Sequence, residues 1–279
     1  MSLLYVACGI VAGFLGALLG LGGGIIITPM LTLAFGLDIK YAIGASVISV
    51  IATSSGASIA YLKDDLLNLR VAMFLEIATT IGAIVGALLT GIFAPQILYV
   101  FFGALLLFSA YNMAKKVLFI KKDHLYQGPV SKTVTRLNLN GRYYDKQEQR
   151  EISYELTHLT GGFSMMFGAG IASGLLGIGS GAFKVLAMDT IMKMPLKPSS
   201  ATSNLMMGVT AAASATIYLF NGSIQPLIAG PIAIGVLVGA GVGTRVMPRL
   251  KARTLRMLFV PVLLYLGVQM VVKGMGWLN

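Results

Sequence analysis

Long apolar runs, separated by short polar breaks, occupy most of this chain of 279 residues. Most of them match the roughly 20 residues that cross a lipid bilayer as an α-helix. A soluble fold could not bury so much apolar surface, since 11% of the residues are charged against a usual share of about 25%. We therefore predict an all-α integral membrane protein. The runs cover residues 3–36, 41–62, 71–93, 97–114, 160–187, 201–220, 226–244 and 257–272.

The remaining composition excludes several other classes. The first run has no Lys or Arg before it and continues apolar past Pro29, so we expect it to stay as a membrane segment and not to be a secretory signal. Cys8 is the only cysteine, which excludes an internal disulfide and a cysteine-based zinc site. The net charge of +11 comes from Lys and Arg in the loops, where it indicates cytoplasmic orientation and not nucleic-acid binding. We expect no metal and no cofactor.

An internal repeat divides the membrane part into two halves. Residues 18–24, LLGLGGG, reappear as LLGIGSG at 175–181, and this offset of 157 residues then holds without a gap. Single identities mean little in apolar sequence, but a constant register over about a hundred residues indicates a duplicated unit. Matched pairs include Ser46 with Ser203, Thr53 with Thr210, and Gly82 with Gly239.

A polar insert separates the two halves. Alternation of apolar and polar residues at 133–139 and 152–156 predicts a small β-hairpin within it. Its excess of Lys and Arg predicts a cytoplasmic location. The sequence therefore predicts membrane repeat A over residues 1–116, this insert over 117–158, and membrane repeat B over 159–279, with about four apolar runs in each repeat.

The distribution of Lys and Arg also predicts how the runs cross the membrane. With the insert inside, the basic loop 63–70 lies inside, and the loop 93–96, which has neither residue, lies outside. The basic segment 245–256 should be inside too, so an even number of crossings separates it from the insert. The Gly-rich run 160–187 must then return to the side it entered, as a broken or re-entrant hairpin. Equivalent loops would face opposite sides, which favours an inverted repeat over parallel halves.

One glycine cluster lies within the first run of each half, and the two clusters predict helix breaks. They are denser than helix packing requires, whereas Gly82, Gly86, Gly239 and Gly243 have the spacing that lets helices approach closely. A helix N-terminus at a break offers free N–H donors and partial positive charge, which suits an anion. The candidate binding residues are Gly20, Gly22, Gly23 and Gly24 in the first half, and Gly177, Gly179, Ser180 and Gly181 in the second.

Polar residues that follow each cluster extend the candidate site. Ser46 in the first half and Thr202, Ser203 and Asn204 in the second open an apolar run. A hydroxyl there could cap its own helix or donate a hydrogen bond to an oxyanion, and the two roles are compatible. Thr28, beside Pro29, is a further candidate. Ser54 and Ser55 are weaker ones, because serine commonly satisfies itself on its own helix.

Two ionisable residues lie inside the runs, where charge is costly and therefore informative. Lys184 follows the second cluster by three residues, at the position of Ile27 in the first half. It could attract the anion, or its long side chain could reach the membrane surface. Glu76 lies six residues into its run and is a candidate coupling group for protons, with a position near the inner interface as the alternative.

These features together resemble the TauE/SafE sulfite exporter family. The resemblance is carried by Gly20, Gly22, Gly23, Gly24, Pro29, Gly44 and Ser46, and by Gly177, Gly179, Gly181, Thr202 and Ser203. It implies a permease for sulfur-containing anions with two homologous halves. This chain departs from the pattern at Ser180, which replaces a glycine, at Leu186, where a proline is expected, and at Lys184, which lies in a usually apolar stretch.

We therefore predict a secondary transporter for a small anion, of the sulfite, thiosulfate or sulfoacetate type, in the cell membrane. No nucleotide-binding motif is visible for primary pumping. An anion channel and a non-transporting membrane partner or assembly protein are the alternatives, whereas an enzyme would need a paired acid and base or a nucleophile that the runs do not supply. The expected partners are the anion and the bilayer, with no nucleic acid. The oligomeric state stays open, a homo-oligomer being one alternative.

Overall fold

The computed structural model describes residues 2–19, 22–118, 134, 136–145, 149–246 and 252–277. Helices form most of this part of the chain, and each of the two shortest helices named below continues into a π-helical turn. In the first half the helices are α1 (Ser2–Leu19), α2 (Gly24–Pro29) with the turn π1 (Met30–Ala34), α3 (Ile39–Lys63), α4 (Leu69–Thr90) and α5 (Pro95–Leu118). In the second half they are α6 (Leu159–Leu176), α7 (Gly181–Leu186) with the turn π2 (Ala187–Ile191), α8 (Leu196–Phe220), α9 (Pro226–Val246) and α10 (Ala252–Gly274).

Six helices among the described residues are long and apolar enough to cross a membrane. Their outer surfaces carry large exposed hydrophobic side chains such as Met73, Ile77 and Leu88 on α4, which only a lipid environment would stabilise. The prediction of an all-α integral membrane protein is confirmed. The six segments are Ile39–Lys63, Leu69–Thr90, Pro95–Lys115, Leu159–Leu176, Leu196–Phe220 and Pro226–Val246.

The offset of 157 residues that relates the two sequence halves also relates their helices. The short helices after the breaks begin at Gly24 and Gly181, and the long helices that follow begin at Ile39 and Leu196. The π-helical turns, which begin at Met30 and Ala187, obey the same offset. The duplicated sequence therefore folds into a duplicated structural unit.

Each half begins with a re-entrant hairpin. In the first half the chain turns back after α1, and the rings of Tyr5 and Phe35, at opposite ends of the run, lie 5.1 Å apart. In the second half the amide of Thr157, just before α6, donates a hydrogen bond of 3.1 Å to the carbonyl of Met192, just after π2. Both segments therefore end on the side on which they begin, and for the second segment the basic loops predict this return.

Glycines let the long helices approach closely. A methyl group on Gly82 or Gly86 of α4 would collide with backbone carbonyls of α6, and one on Gly239 of α9 would collide with the carbonyl of Ile10 on α1. A methyl group on Gly243 would lie 2.6 Å from the carbonyl oxygen of Phe14, also on α1. Small residues thus replace bulky packing at these contacts, as their spacing predicts.

The equivalent helices α5 and α10 run antiparallel. A methyl group on Gly103 of α5 would lie 2.7 Å from the carbonyl oxygen of Gly267 on α10. One on Gly274, two turns later in α10, would lie 2.7 Å from Val100, which precedes Gly103. Residue numbers therefore rise along one helix as they fall along the other.

The insert contains a two-stranded antiparallel sheet, β1 (Gly141–Asp145) and β2 (Arg150–Tyr154), with Tyr143 opposite Ile152. The second strand lies where alternation predicts one. The first does not, because β1 follows the predicted segment 133–139 instead of coinciding with it. Within that segment the described residues Val134 and Arg136 are helical, and Asn138 has a positive φ of 49°, which ends the segment before the strand begins.

The insert is joined to both halves at one end of the helices. The side-chain amide of Asn68, in the turn between α3 and α4, donates hydrogen bonds to the carbonyl of Leu139 and the hydroxyl of Tyr154. Burial raises the pKa of that phenol, so Tyr154 stays neutral. On the other half, Lys197 at the start of α8 forms a buried ion pair of 2.9 Å with Asp145.

The close contact of α4 with α6 gives a test of the packing. Gly86→Ala should destabilise the folded protein by about 1–3 kcal/mol, because the added methyl group meets the fixed backbone of Ile171 and Leu175. Gly241→Ala on α9 is the matched control, since a methyl group there meets nothing within 4 Å. Thermal unfolding in detergent should show a lower transition for Gly86→Ala alone. Equal transitions would mean that the two helices are not in this contact.

Candidate functional site

The first break lies between α1 and α2. Gly22 has a φ of 74°, a conformation that glycine adopts without strain, and α2 begins two residues later at Gly24. The backbone amide of Gly23 donates a hydrogen bond of 3.3 Å to the hydroxyl of Thr53 on α3. Gly20, another predicted site residue, lies outside the described residues.

The second break lies between α6 and α7. Gly177 and Gly179 have φ values of 63° and 70°, and Ser180 has one of 47°, which is unfavourable for a residue with a side chain. The helix then resumes at Gly181. Both glycine clusters therefore interrupt their helices, as the sequence predicts.

The two breaks contact each other. The hydroxyl of Ser46 on α3 donates a hydrogen bond of 2.8 Å to the carbonyl of Gly177. A methyl group on Gly24 would collide with the hydroxyl oxygen of Ser46 and lie 3.0 Å from the carbonyl oxygen of Gly177. The structure thus brings together residues from the first break, the second break and the following helix, which are far apart in sequence.

Val50 and Met207 fill the space beside the two breaks. These residues occupy equivalent positions in the repeat, one on α3 and one on α8. A methyl group on Gly22 would lie 3.1 Å from the sulfur of Met207, and one on Gly179 would lie 3.2 Å from the same atom and 2.7 Å from Val50. Both breaks therefore face the same pair of apolar side chains.

Three predicted polar residues have a buried side-chain atom that makes no hydrogen bond with the described part of the chain. These atoms are the hydroxyl oxygens of Thr28 and Ser180 and the side-chain carbonyl oxygen of Asn204, and each residue is at most 1% exposed. The side-chain amide group of Asn204 donates to the carbonyl of Ser200 at 3.2 Å, and the hydroxyl of Ser203 donates to the carbonyl of Gly181 at 3.3 Å. Buried polar atoms without partners are uncommon and often mark ligand sites.

The contacts of Thr202 and Ser54 differ from those expected from the sequence. The hydroxyl of Thr202 accepts a hydrogen bond of 3.1 Å from the backbone amide of Asn68, so it contacts the turn before α4 and not a break. Ser54 does not bond its own helix, because its hydroxyl donates a hydrogen bond of 2.5 Å to the backbone carbonyl of Asn204 on α8. Ser55 does bond its own helix, at the carbonyl of Ile51.

The two ionisable residues within the runs meet each other. Lys184 on α7 is fully buried, and its ammonium nitrogen lies 4.0 Å from Oε2 of Glu76 on α4. The hydroxyl of Thr210 on α8 lies between them, 2.5 Å from the Lys184 nitrogen and 2.6 Å from Oε1 of Glu76. Lys184 therefore does not extend to the membrane surface, and Glu76 has a buried partner.

Three residues at the site are not predicted from the sequence: Thr210, Val50 and Met207. The signal for Thr210 was available, because it matches Thr53 in the repeat, and Thr53 accepts the amide hydrogen bond from the first break. Val50 and Met207 are also equivalent, but apolar residues in an apolar run give no such signal.

Comparison with known proteins identifies the family. The profile of the sulfite exporter TauE/SafE family matches residues 5–270. The chain belongs to the sulfite exporter TauE/SafE family. The resemblance in the glycine clusters is thereby confirmed across almost the whole chain.

Relatives in the family are described as probable membrane transporter proteins. One from Bacillus subtilis, YunE, is 26% identical over 96% of this chain and 97% of its own length. MJ0441 from Methanocaldococcus jannaschii is 24% identical over 96% of this chain and 94% of its own length. No solved structure matches the chain. This TauE/SafE protein is therefore a membrane transporter and not an enzyme.

The contact between Lys184, Thr210 and Glu76 predicts a specific loss of stability. Thr210→Val should cost about 1–3 kcal/mol, because it removes the hydroxyl that lies between the two buried charged groups. Thr216→Val, on the same helix, is the control, since Thr216 is exposed and bonds only the carbonyl of Ala212 among the described residues. Thermal unfolding in detergent compares the two variants. A Thr210→Val protein as stable as the wild type would contradict this geometry.

Proposed function

We propose that this protein is a secondary transporter that moves a small sulfur-containing oxyanion or organosulfonate, of the sulfite, thiosulfate or sulfoacetate type, across the cell membrane. The anion binds between the two helix breaks. The observation that carries this proposal is the contact of the breaks with each other beside buried polar atoms without partners and a buried lysine.

The chemistry around the breaks favours a negative ligand. The helical segments that begin at Gly24 and Gly181 direct N–H groups toward the breaks, where partial positive charge accumulates. The hydroxyls of Thr28 and Ser180 have hydrogen atoms to donate, and an oxyanion accepts several hydrogen bonds at once. Lys184 adds a full positive charge less than two helical turns beyond Ser180.

The sulfur-containing class follows from the family, whose name refers to sulfite export. This chain differs from the family pattern at Ser180, Leu186 and Lys184, all on the second hairpin. A serine hydroxyl and an ammonium group in place of apolar atoms favour a larger or more highly charged oxyanion than sulfite alone. We therefore include thiosulfate and sulfonates among the substrates.

The two halves are inverted relative to each other, and the insert lies in the cytoplasm. The antiparallel contact of the equivalent helices α5 and α10 supports the inversion, because a two-fold axis that relates antiparallel helices must be perpendicular to them. The Lys and Arg residues of the loops support the cytoplasmic location. Transport would then alternate between two related conformations of the halves.

Val50 and Met207 provide the barrier in the state described here. Both lie against the breaks, so an anion between the breaks must displace them. Methionine is flexible and can adopt another rotamer at little cost. The binding site therefore opens when the two hairpins separate and these side chains turn away.

Flux in proteoliposomes tests the proposal, with sulfite, thiosulfate, sulfate, sulfoacetate and acetate as candidate substrates. Ser180→Gly removes one hydroxyl and also relieves the unfavourable φ, so the protein should fold while transport weakens. Lys184→Ala should lower flux by about tenfold or more, as expected when a hydrogen bond to a charged group is lost. Ser46→Ala combined with Ser203→Ala should also lower flux, because it removes the hydroxyls that bond the backbone carbonyls of Gly177 and Gly181 at the second break. Ser55→Ala is the control, since this exposed serine bonds its own helix.

The outcomes distinguish the alternatives. Saturable flux of a sulfur oxyanion that exchanges with unlabelled ion supports the carrier, whereas conductance steps in a planar bilayer would indicate a channel. Undiminished flux in all three site variants would refute the assignment of the site. No movement of any of the five anions would refute the proposed function.

A further inference from the structure

A buried ion pair lies inside the membrane part of the protein, and its lysine belongs to the short helix that follows the second break. Lys184 is fully buried and the side chain of Glu76 is 13% exposed. The two residues come from different halves of the chain, and neither has a charged equivalent, since the repeat places Ile27 and Ala233 at the matching positions. A buried pair of this kind is retained against a considerable desolvation cost, which points to a role beyond packing.

The two oxygens of the Glu76 carboxylate have different surroundings. Oε1 accepts hydrogen bonds from the hydroxyls of Thr210 and Thr80, at 2.6 Å and 3.0 Å. Oε2 is buried and accepts no hydrogen bond from the described residues, and it lies 4.0 Å from the ammonium nitrogen of Lys184. One oxygen is thus held by two hydroxyls, while the other faces the ammonium group.

The neighbouring elements supply no other described cation in contact with Glu76. Of the helices packed against α4, α6 has no charged residue, and α8 has Lys197, which is paired with Asp145 at the end of the helix. Tyr218 on α8 bonds the carbonyl of Gly174 and the hydroxyl of Thr90. The other charged residue near Lys184 in sequence, Asp189 on π2, is acidic and so adds no cation. Among the described residues, Lys184 is the one cation within 4.0 Å of the Glu76 carboxylate.

Charge balance connects this centre to the anion. The pair of Lys184 and Glu76 is neutral as it stands. An anion that approaches Lys184 would add negative charge to a buried site that already contains a carboxylate, which is unfavourable in a desolvated environment. A proton on Glu76 removes that charge and leaves the ammonium group to the anion.

We propose, on the basis of the proposed anion transport, that Glu76 is the proton-binding site of a proton–anion symporter. A proton from water forms an O–H bond at Oε2 of Glu76 when an anion binds beside Lys184. Both leave on the other side of the membrane, and the ion pair between Glu76 and Lys184 forms again. Each anion therefore moves with one proton taken up by Glu76.

The experiment uses proteoliposomes with radiolabelled thiosulfate, whose two charges do not change between mildly acidic and mildly alkaline buffer. One assay measures exchange of labelled for unlabelled thiosulfate at equal pH on both sides. The other measures thiosulfate accumulation under an inward proton gradient, with a trapped pH indicator that reports proton entry. The proteins are the wild type, Glu76→Gln, Glu76→Asp and the control Glu151→Gln, whose carboxylate is exposed on β2.

Glu76→Gln resembles the protonated carboxyl group, so it should keep exchange, which becomes independent of pH. It should lose proton-driven accumulation and proton entry by about tenfold or more, a typical size for the coupling of two ligands. Glu151→Gln should accumulate thiosulfate with protons as the wild type does, and Glu76→Asp, which keeps a carboxyl group, should keep the coupling of accumulation to proton entry.

Each other outcome overturns a defined part of the proposal. Proton-driven accumulation that survives in Glu76→Gln refutes proton binding at Glu76 and leaves anion transport intact. Loss of exchange as well as accumulation in both Glu76→Gln and Glu76→Asp means that the residue is structural, which also refutes the proposal. If the wild type moves no thiosulfate in either assay, both the symport and the proposed thiosulfate transport are refuted.

Discussion

Within a bilayer every backbone N–H and C=O group needs a hydrogen-bond partner inside the protein, and the rest of this structure depends on how that need is met at two interrupted helices. At the first break the Thr53 hydroxyl accepts from the Gly23 amide, and across the two breaks the Ser46 hydroxyl donates to the Gly177 carbonyl. Side chains of α3 thus replace helical hydrogen bonds on both hairpins. In agreement with this role, α3 and its equivalent α8 are richer in Ser and Thr than the helices around them.

Duplication builds the scaffold, and divergence between the copies supplies the chemistry. Helix starts, π-helical turns and the close glycine contacts are repeated in both halves, so these features serve the fold. The charged pair is not repeated: Lys184 belongs to one half and Glu76 to the other, although they meet through Thr210. In the proposed symport these unequal residues take different ions, since the carboxylate of Glu76 takes the proton and the ammonium group of Lys184 faces the anion.

Much of the fold could be predicted from the sequence, because apolar run length, glycine spacing and basic loops each reflect a strong constraint of the bilayer. The runs, both breaks and the return of each hairpin agree with that prediction. Alternation predicts the first strand at 133–139, whereas the structure has it at 141–145. Alternation over a few residues is a weak signal when turn residues such as Asn138 interrupt it. The meeting of Lys184 with Glu76 could not be predicted. It depends on which faces of α4, α7 and α8 point at one another, and no local pattern specifies that.

The insert has no counterpart in either copy of the repeat, yet it touches both. It bonds Asn68 of the first half and Lys197 of the second, at the same end of the helices. Any rearrangement that moves the turn before α4 away from the start of α8 must therefore break the contact to one of these residues. At the opposite end of the helices the two halves meet directly, where the hydroxyl oxygens of Thr90 and Tyr218 lie 3.1 Å apart. In the proposed transport cycle, opening toward the insert would therefore break the contacts of the insert, whereas opening away from it would break the contact between Thr90 and Tyr218.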